Sequence, residues 1–142
     1  MTLERARLFG NDLRLGRIDV GADLLPDAAG DLDLAIGNDN IVQALTLRLL
    51  VRQGELARLG WPDYGSRLHE LIGEPNLRRT HLRAMAYARA SVEEDPRVAE
   101  VSRIQAFVPP GGRDVVRLDV DVRLIDRPNP LNLVFDLDLE AR

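Results

Sequence analysis

The sequence predicts an α+β fold, in which a small helical layer is packed on an antiparallel sheet with a C-terminal three-stranded meander. Between residues 41 and 92 the apolar residues recur at spacings of three and four, which is typical of helices. From Val98 onward they alternate with polar residues, which is typical of strands. The turn sequences PPGGRD and DRPNP separate the last three strands, so the strands are expected to form a meander.

The 142 residues are enough for one domain with a sizeable core. We divide this single domain (1–142) into a variable N-terminal segment (1–30), a helical core (31–97) and a strand-rich tail (98–142). In the first part, Leu13, Leu15, Ile18 and Val20 alternate with polar neighbours, as short strands do. The segment DLDLAIG at the start of the core has the same period of two and predicts another strand.

Three helices are predicted in the core. The first, at about 41–53, is apolar around most of its circumference, which indicates a central position. Ser66 is expected to cap a short second helix, and the third helix covers about 77–92. The expected inner face of the third helix consists of Leu77, His81, Met85, Ala88 and Val92.

The tail is predicted to contain strands at 98–108, 115–125 and 131–139. In the second of these, Leu118, Val120, Val122 and Leu124 share one face, and arginine alternates with aspartate on the other. An apolar face of this kind requires a cover, which the helices can supply.

The composition restricts the possible functions. There is no cysteine, which excludes disulfides and thiolate metal sites, and two histidines argue against a histidine-rich metal centre. We therefore expect no cofactor and no metal. The net charge of −4 argues against nucleic acid as the main partner. Because no apolar run approaches the ~20 residues of a membrane span and no secretion signal is visible, we expect cytoplasmic synthesis and assembly without membrane insertion.

One loop, GELARLGWPDYGSRLHELIGEPN, contains Trp61 and Tyr64 in a chain with few aromatic residues. Both are expected to be mostly buried, either in the fold or in a partner interface. Taken singly, they would fill the gap between the first two helices, next to a glycine with an unusual backbone angle at Gly65.

A catalytic site would require converging side chains, and the candidates in this loop are Glu55, Asp63, His69 and Glu70. His69 and Glu70 are adjacent on a helix and diverge by about 100°. Glu55 and Asp63 could meet across the loop as a glycosidase pair does, but nothing in their spacing requires it. We therefore expect that the protein is not an enzyme.

The order of motifs resembles the small baseplate wedge proteins of contractile-tailed phages and contractile injection systems. The family has a helix rich in Leu and Arg, a Gly-Glu turn, a Pro-x-Tyr-Gly-Ser stretch and a later acidic-Pro-Arg signature. In this chain these features are at Leu45 to Leu50 with Arg48, at Gly54 and Glu55, at Pro62 to Ser66, and at Glu94, Asp95, Pro96 and Arg97. The resemblance covers about residues 31–101 and is closest to the extracellular phage-tail-like injection particles. The usual signature is Glu-Pro-Arg, whereas this chain has aspartate before the proline.

The resemblance implies a structural baseplate component that links wedge subunits to the first sheath ring and templates sheath assembly. The implied partners are other wedge subunits, the sheath subunit through the C-terminal strands, and tube or hub proteins, with six copies in each assembled injection particle or virion. The implied interface contains Trp61, Tyr64 and the residues Glu94 to Arg97. Arg97 lies in the turn after the third helix, where Pro96 restricts the backbone, and it would bind a partner from this rigid corner. In that case Arg97→Ala would leave the melting temperature of the isolated protein nearly unchanged. The competing expectation is that Arg97 forms a local ion pair with Glu94 or Glu100.

Two other functions remain open at this point. The family includes an anti-adaptor that binds a response regulator, so a regulatory protein-binding module is one alternative. Members have also been labelled lysozyme-like, so a peptidoglycan hydrolase is the other. Neighbouring genes for a sheath, tube and spike would separate the baseplate role from the first alternative, and a peptidoglycan zymogram would test the second.

Overall fold

The computed structural model describes the backbone of residues 11–13, 15–18, 21–24, 34–36, 38–126 and 128–140, and side chains within those ranges from Asp39 onward. The chain forms two compact units, residues 1–45 and residues 46–142. The division of one domain into three parts stays a prediction.

The described residues of the first unit include two small antiparallel strand pairs. Strand β1 (Asn11–Leu13) pairs with β4 (Leu34–Ile36), and β2 (Leu15–Ile18) pairs with β3 (Gly21–Leu24). The alternation at Leu13, Leu15 and Ile18 therefore identified strands, whereas β3 was not predicted. Val20 lies outside the described residues.

Helix α1 (Asn38–Leu50) begins three residues before the predicted start at about residue 41, and Ile41, Leu45 and Leu49 are buried. The helix ends three residues before the predicted end at Gln53. The reason is that the backbone of residues 51–53 pairs with Ser66 and so leaves the helical path.

The predicted second helix is a short 3₁₀ turn, Leu68–Leu71, and another 3₁₀ turn covers Ala57–Leu59. Helix α2 (Arg78–Glu93) buries Thr80, Ala84, Ala88, Ser91 and Val92. Three residues of the expected inner face are not buried: Leu77 is exposed, and His81 and Met85 are half-buried. The buried face is thus offset by about one residue from the expected one, because small side chains allow α2 to lie close to its neighbours.

The second unit contains an antiparallel sheet in the order β5 (Val98–Phe107), β6 (Val115–Leu124) and β7 (Leu131–Asp138). Leu118 faces Phe135, and Val120 faces Leu133. Apolar side chains of β6 and β7 are buried on one face, and α2 packs mainly against β5. The α+β class and the C-terminal meander are therefore confirmed.

The other face of the sheet is charged and forms its own ion pairs. Arg103 bonds to Asp121 at 2.7 Å, Arg117 to Asp136 at 2.8 Å, and Arg123 to Glu100 at 3.0 Å. These cross-strand pairs add to the pairing of β6 with both of its neighbours. None of the described helices is long and apolar enough to cross a membrane.

Candidate functional site

The segment Tyr64-Gly65-Ser66 is joined to the chain that leaves α1. The Ser66 N–H donates to the Val51 carbonyl at 2.9 Å, and the Gln53 N–H donates to the Ser66 carbonyl at 3.0 Å. Gly65 has φ +111°, and a Cβ at this position would lie 2.5 Å from the Val51 oxygen. A side chain does not fit here, so glycine is required by both the backbone angle and the close approach.

Two buried serine hydroxyls complete this junction. Ser66 Oγ donates to the Leu49 carbonyl at 2.7 Å, and Ser91 Oγ of α2 donates to the Gly65 carbonyl at 2.8 Å. The N-cap of the 3₁₀ turn is Arg67 and not Ser66 as expected, and Ser66 Oγ accepts only a long bond of 3.4 Å from the Leu68 N–H. Hydrogen bonds between buried polar groups therefore connect the loop to the end of α1 and to α2, and they fix the conformation of the loop.

The two loop aromatics differ in burial. Trp61 is 60% exposed, whereas Tyr64 is half-buried. Their ring centroids are 6.3 Å apart in an edge-to-face arrangement. The interpretation of Trp61 as a mostly buried core residue is wrong, because the loop holds its indole beside Tyr64 on the surface; its role in an interface stays a prediction.

Arg48 brings the two predicted interface segments together. Its guanidinium lies 4.6 Å from the centroid of the Tyr64 ring, and its Nη1 lies 3.8 Å from Glu94 Oε2. The Arg48 side chain is only 14% exposed. The loop and the Glu94–Arg97 corner therefore form parts of one surface.

At this corner, Asp95 and Arg97 form a two-pronged ion pair. Arg97 Nε donates to Asp95 Oδ1 at 3.0 Å, and Arg97 Nη2 donates to Asp95 Oδ2 at 2.9 Å. Pro96 between them is exposed, and Asp95 is buried. The local partner of Arg97 is thus Asp95 and not Glu94 or Glu100; Glu94 lies near Arg48, and Glu100 bonds to Arg123.

This pairing also changes the acidity of Asp95. Burial by itself would raise its pKa, but the hydrogen bonds from the Arg97 side chain and backbone N–H, together with the charges of Arg97 and Arg48, lower the pKa below its ordinary value. Asp95 is therefore a carboxylate near neutral pH. Removing Arg97 would leave that buried carboxylate without its main partner. The ion pair therefore favours a lower melting temperature for Arg97→Ala over the unchanged one expected from the sequence, and the effect of this substitution stays a prediction.

The described contacts of the candidate catalytic side chains are with backbone groups or with Arg67, and none of them joins two of the candidates. Glu55 Oε2 accepts the Arg52 backbone N–H at 3.2 Å, and His69 Nδ1 lies 3.1 Å from the Ser66 carbonyl. The hydrogen bond from Arg67 lowers the pKa of Glu70, which disfavours the protonated form that a general acid requires. For Asp63, the described contact is through its carbonyl, which accepts the Gln53 amide at 3.5 Å.

Sequence reasoning did not identify several residues of this surface. Ser91 and Tyr87 were not singled out, and Arg48 was seen only as part of the first helix. A lone arginine in the last turn of a mostly apolar helix was the available signal for Arg48. Within the described residues there is no group of three or more acidic or histidine side chains that could hold a metal.

The chain was compared with known families, curated proteins and solved structures. No protein-family model matches the sequence, and the comparison with curated proteins gives no match. The structure is similar to the crystal structure of a "putative tail lysozyme" from Geobacter sulfurreducens, with a TM-score of 0.62 and 18% sequence identity. The similarity covers 84% of this chain and 98% of that chain, so the two proteins share a fold.

Proposed function

We propose that this protein is a structural component of a phage-tail-related particle. More specifically, we propose that it belongs to the baseplate of a contractile injection system or phage tail. There it would link wedge subunits to the first sheath ring and template sheath assembly. The observation that carries the proposal is the fold shared with a protein described as a tail lysozyme. The order of the motifs between residues 31 and 101 supports the baseplate form.

The regular pairing of β7 supports a role of the C-terminal strands in binding the sheath subunit. Along its whole length β7 keeps an unbroken register with β6. Strand β5 has two irregularities in its register with β6, and such bulges hinder further pairing. We therefore place the proposed main-chain pairing with the sheath subunit at β7.

The Glu94–Arg97 corner supports docking to a second partner. Because Asp95 already holds the planar fork of Arg97, little further side-chain entropy is lost when a partner binds. The corner would present the Asp95–Arg97 pair as a unit, with the exposed Glu94 and Pro96 beside it. Wedge subunits are the proposed partners here.

We infer a binding role and no hydrolytic one. Because the similar structure is described as a tail lysozyme, peptidoglycan hydrolysis is the alternative to test. A retaining or inverting glycosidase needs one carboxyl group that keeps its proton and another that is ionised. The pKa of Glu70 is lowered by Arg67, which is opposite to the first requirement.

The proposal is tested by deleting the gene in its source strain and inspecting the particles by electron microscopy. Wild-type protein should restore sheathed particles, and Val134→Lys should not, because a lysine in the middle of β7 hinders strand addition. Val134 is 51% exposed, so the isolated variant should fold normally. The matched control is Val108→Lys, which changes an exposed apolar residue outside both β7 and the Glu94–Arg97 corner and should restore assembly.

Two results would overturn the proposal. Sheathed particles of normal number in the deletion strain would exclude a role in sheath assembly. Clearing of peptidoglycan by the purified protein, abolished by Glu55→Gln, would establish the hydrolase instead.

A further inference from the structure

Arg48 holds a positive charge in a mostly covered position of the second unit. It lies in the last turn of α1, and its side chain is 14% exposed. Its guanidinium lies over the ring of Tyr64 and near the carboxylate of Glu94. A charge that is largely removed from water depends on its partners. Arg48 is therefore tied to two segments that are distant from each other in the sequence.

The contact of Arg48 with Glu94 is balanced against its contact with Tyr64. The distance of 3.8 Å to Glu94 is long for an ion pair, and the Glu94 side chain is half-exposed. The centroid of the half-buried Tyr64 ring lies 4.6 Å from the guanidinium, within the distance of about 6 Å at which a ring attracts a cation. Because both attractions act on the same guanidinium, a change in one alters the position that the other favours.

The other arginine of the corner is engaged elsewhere. Arg97 bonds to both carboxylate oxygens of Asp95. Burial raises the pKa of Asp95, whereas the hydrogen bonds from Arg97 and the charges of Arg97 and Arg48 lower it below its ordinary value. Arg48 thus also stabilises the buried carboxylate, although it contacts the corner through Glu94.

The position of the Tyr64 ring determines the surroundings of Trp61. The two ring centroids are 6.3 Å apart in an edge-to-face arrangement. The Tyr64 N–H donates to the Trp61 carbonyl at 3.4 Å, and the Trp61 N–H donates to the Leu56 carbonyl at 3.1 Å. These bonds close the tip of the loop. A displacement of the Tyr64 ring therefore changes the environment of the indole.

A groove of about 280 Å³ separates the loop from α2 beside the corner. Its walls include Ser91 and Glu94. A hydrogen bond from Ser91 Oγ to the Gly65 carbonyl, 2.8 Å long, joins the two sides. Among the described residues, Arg48 is the side chain that contacts both Tyr64 and Glu94. The loop and the corner are thus connected by particular side chains and not by continuous packing.

We propose that Arg48 is a positioning residue that couples the Trp61–Tyr64 loop to the Glu94–Arg97 corner. A positively charged group of a partner that binds Glu94 competes with Arg48, and the guanidinium then shifts toward its remaining contact with Tyr64. The loop changes as a result, and by reciprocity a partner that holds the loop changes the affinity of the corner. The coupling is a property of the isolated protein, whereas its use in docking rests on the function proposed above.

The test uses the indole N–H of Trp61 as its reporter, because the chain has a single tryptophan. Its resonance is recorded by NMR on nitrogen-15-labelled, full-length protein. Glu94→Gln removes the charge but keeps the shape, as neutralisation by a partner would, and it should shift this resonance. Glu93→Gln is the matched control, since Glu93 pairs with Arg89 at 3.6 Å and not with Arg48, and it should leave the resonance unchanged.

Variants of the connecting residues localise the effect. Arg48→Met keeps an apolar stem beside Tyr64 without the charge, and in this background the shift caused by Glu94→Gln should fall to less than half. Tyr64→Leu keeps the charge and removes the ring, and it should reduce the shift in the same way. Ser91→Ala removes the hydrogen bond to Gly65 and should leave the shift in place. Circular dichroism confirms that each variant is folded.

Three results would overturn the proposal. These are an unchanged resonance in Glu94→Gln, an equal shift in Glu93→Gln, or a full effect of Glu94→Gln in both the Arg48→Met and the Tyr64→Leu backgrounds. Loss of the effect in Ser91→Ala alone would assign the coupling to that hydrogen bond instead. Normal sheathed particles in the deletion strain would exclude the sheath role but would leave the NMR result unaffected, so the two proposals fail separately.

Discussion

Asp95 and Arg97 are two residues apart, and the guanidinium of Arg97 holds both carboxylate oxygens of Asp95, at 3.0 and 2.9 Å. The Arg97 backbone N–H adds a third hydrogen bond to Oδ1 at 2.9 Å. Pro96 disfavours helical geometry at Asp95 and cannot extend α2, so the chain turns at this point. The pair therefore stabilises the corner between α2 and β5.

The first prediction concerns the pH dependence of this pair. Since the folded-state pKa of Asp95 lies below its unfolded value, the stabilisation is present above the unfolded pKa, about 3.9, and is lost as the pH falls through the folded value. At pH 7, Asp95→Asn should lower the free energy of unfolding by roughly 1–3 kcal/mol. The difference from wild type should shrink below about pH 4. Urea unfolding at several pH values measures it.

Glu94→Gln is the control for this prediction. Glu94 is the neighbouring carboxylate, with a half-exposed side chain 3.8 Å from Arg48. Because Glu94 is half-exposed and its contact with Arg48 is long, this pair should contribute at most about 1 kcal/mol, and the variant should be close to wild type. A destabilisation by Asp95→Asn that stays constant between pH 7 and pH 3 would contradict the assigned role of the carboxylate charge.

The second prediction concerns the close approach at Gly65. Gly65→Ala should destabilise the protein by roughly 2–4 kcal/mol, because the left-handed backbone is strained for alanine and the new Cβ would lie 2.5 Å from the Val51 oxygen. Gly60→Ala is a matched control, since Gly60 has φ +90° but nothing within 4 Å of its ideal Cβ. The control should lose only about 1 kcal/mol. Equal losses, measured by urea unfolding, would argue against the steric explanation.

The third prediction concerns the buried serine hydroxyls. Ser91→Ala should destabilise by roughly 1–3 kcal/mol, because the Gly65 carbonyl loses its hydrogen bond of 2.8 Å in a buried position. Ser102→Ala is the control: its hydroxyl also donates to a carbonyl, that of Asp121 at 3.1 Å, but water can replace it there because the bond is exposed. Thermal unfolding followed by circular dichroism compares the two, and similar melting temperatures for both variants would contradict the prediction.

The sheet could be predicted from the sequence more reliably than the helices. In β6, the alternation of Leu118, Val120 and Val122 with charged residues specifies a strand with one buried face, and the register follows from it. The buried face of α2 was misjudged because Leu77 and Met85 are apolar, whereas the helix buries Ala84 and Ala88 instead. Hydrophobicity alone does not reveal that close packing requires small side chains.

Local roles of single residues in the candidate site could be predicted from the sequence, but contacts between residues distant in sequence could not. The unusual backbone angle of Gly65 was predicted from local rules, whereas the N-cap of the 3₁₀ turn is Arg67 and lies one residue after the predicted Ser66. The hydroxyl of Ser91 and the stacking of Arg48 on Tyr64 depend on contacts 26 and 16 residues apart in sequence, and no local pattern encodes them. The burial of Trp61 was overestimated because a large aromatic side chain between apolar segments usually contributes to the core.

The last prediction concerns Trp61 in the isolated protein. Because its ring is 60% exposed and its described ring contact is the edge-to-face pair with Tyr64, Trp61→Ala should lower the free energy of unfolding by less than about 1.5 kcal/mol. A buried aromatic would lose roughly 3–5 kcal/mol. Leu118→Ala, at a fully buried position of β6, serves as the comparison and should lose roughly 2–5 kcal/mol. Circular dichroism follows the unfolding of both variants, since one of them lacks the fluorophore. The emission of wild-type Trp61 at low protein concentration should resemble that of indole in water; a blue-shifted emission, or a loss as large as that of Leu118→Ala, would show that the indole is buried in the isolated protein.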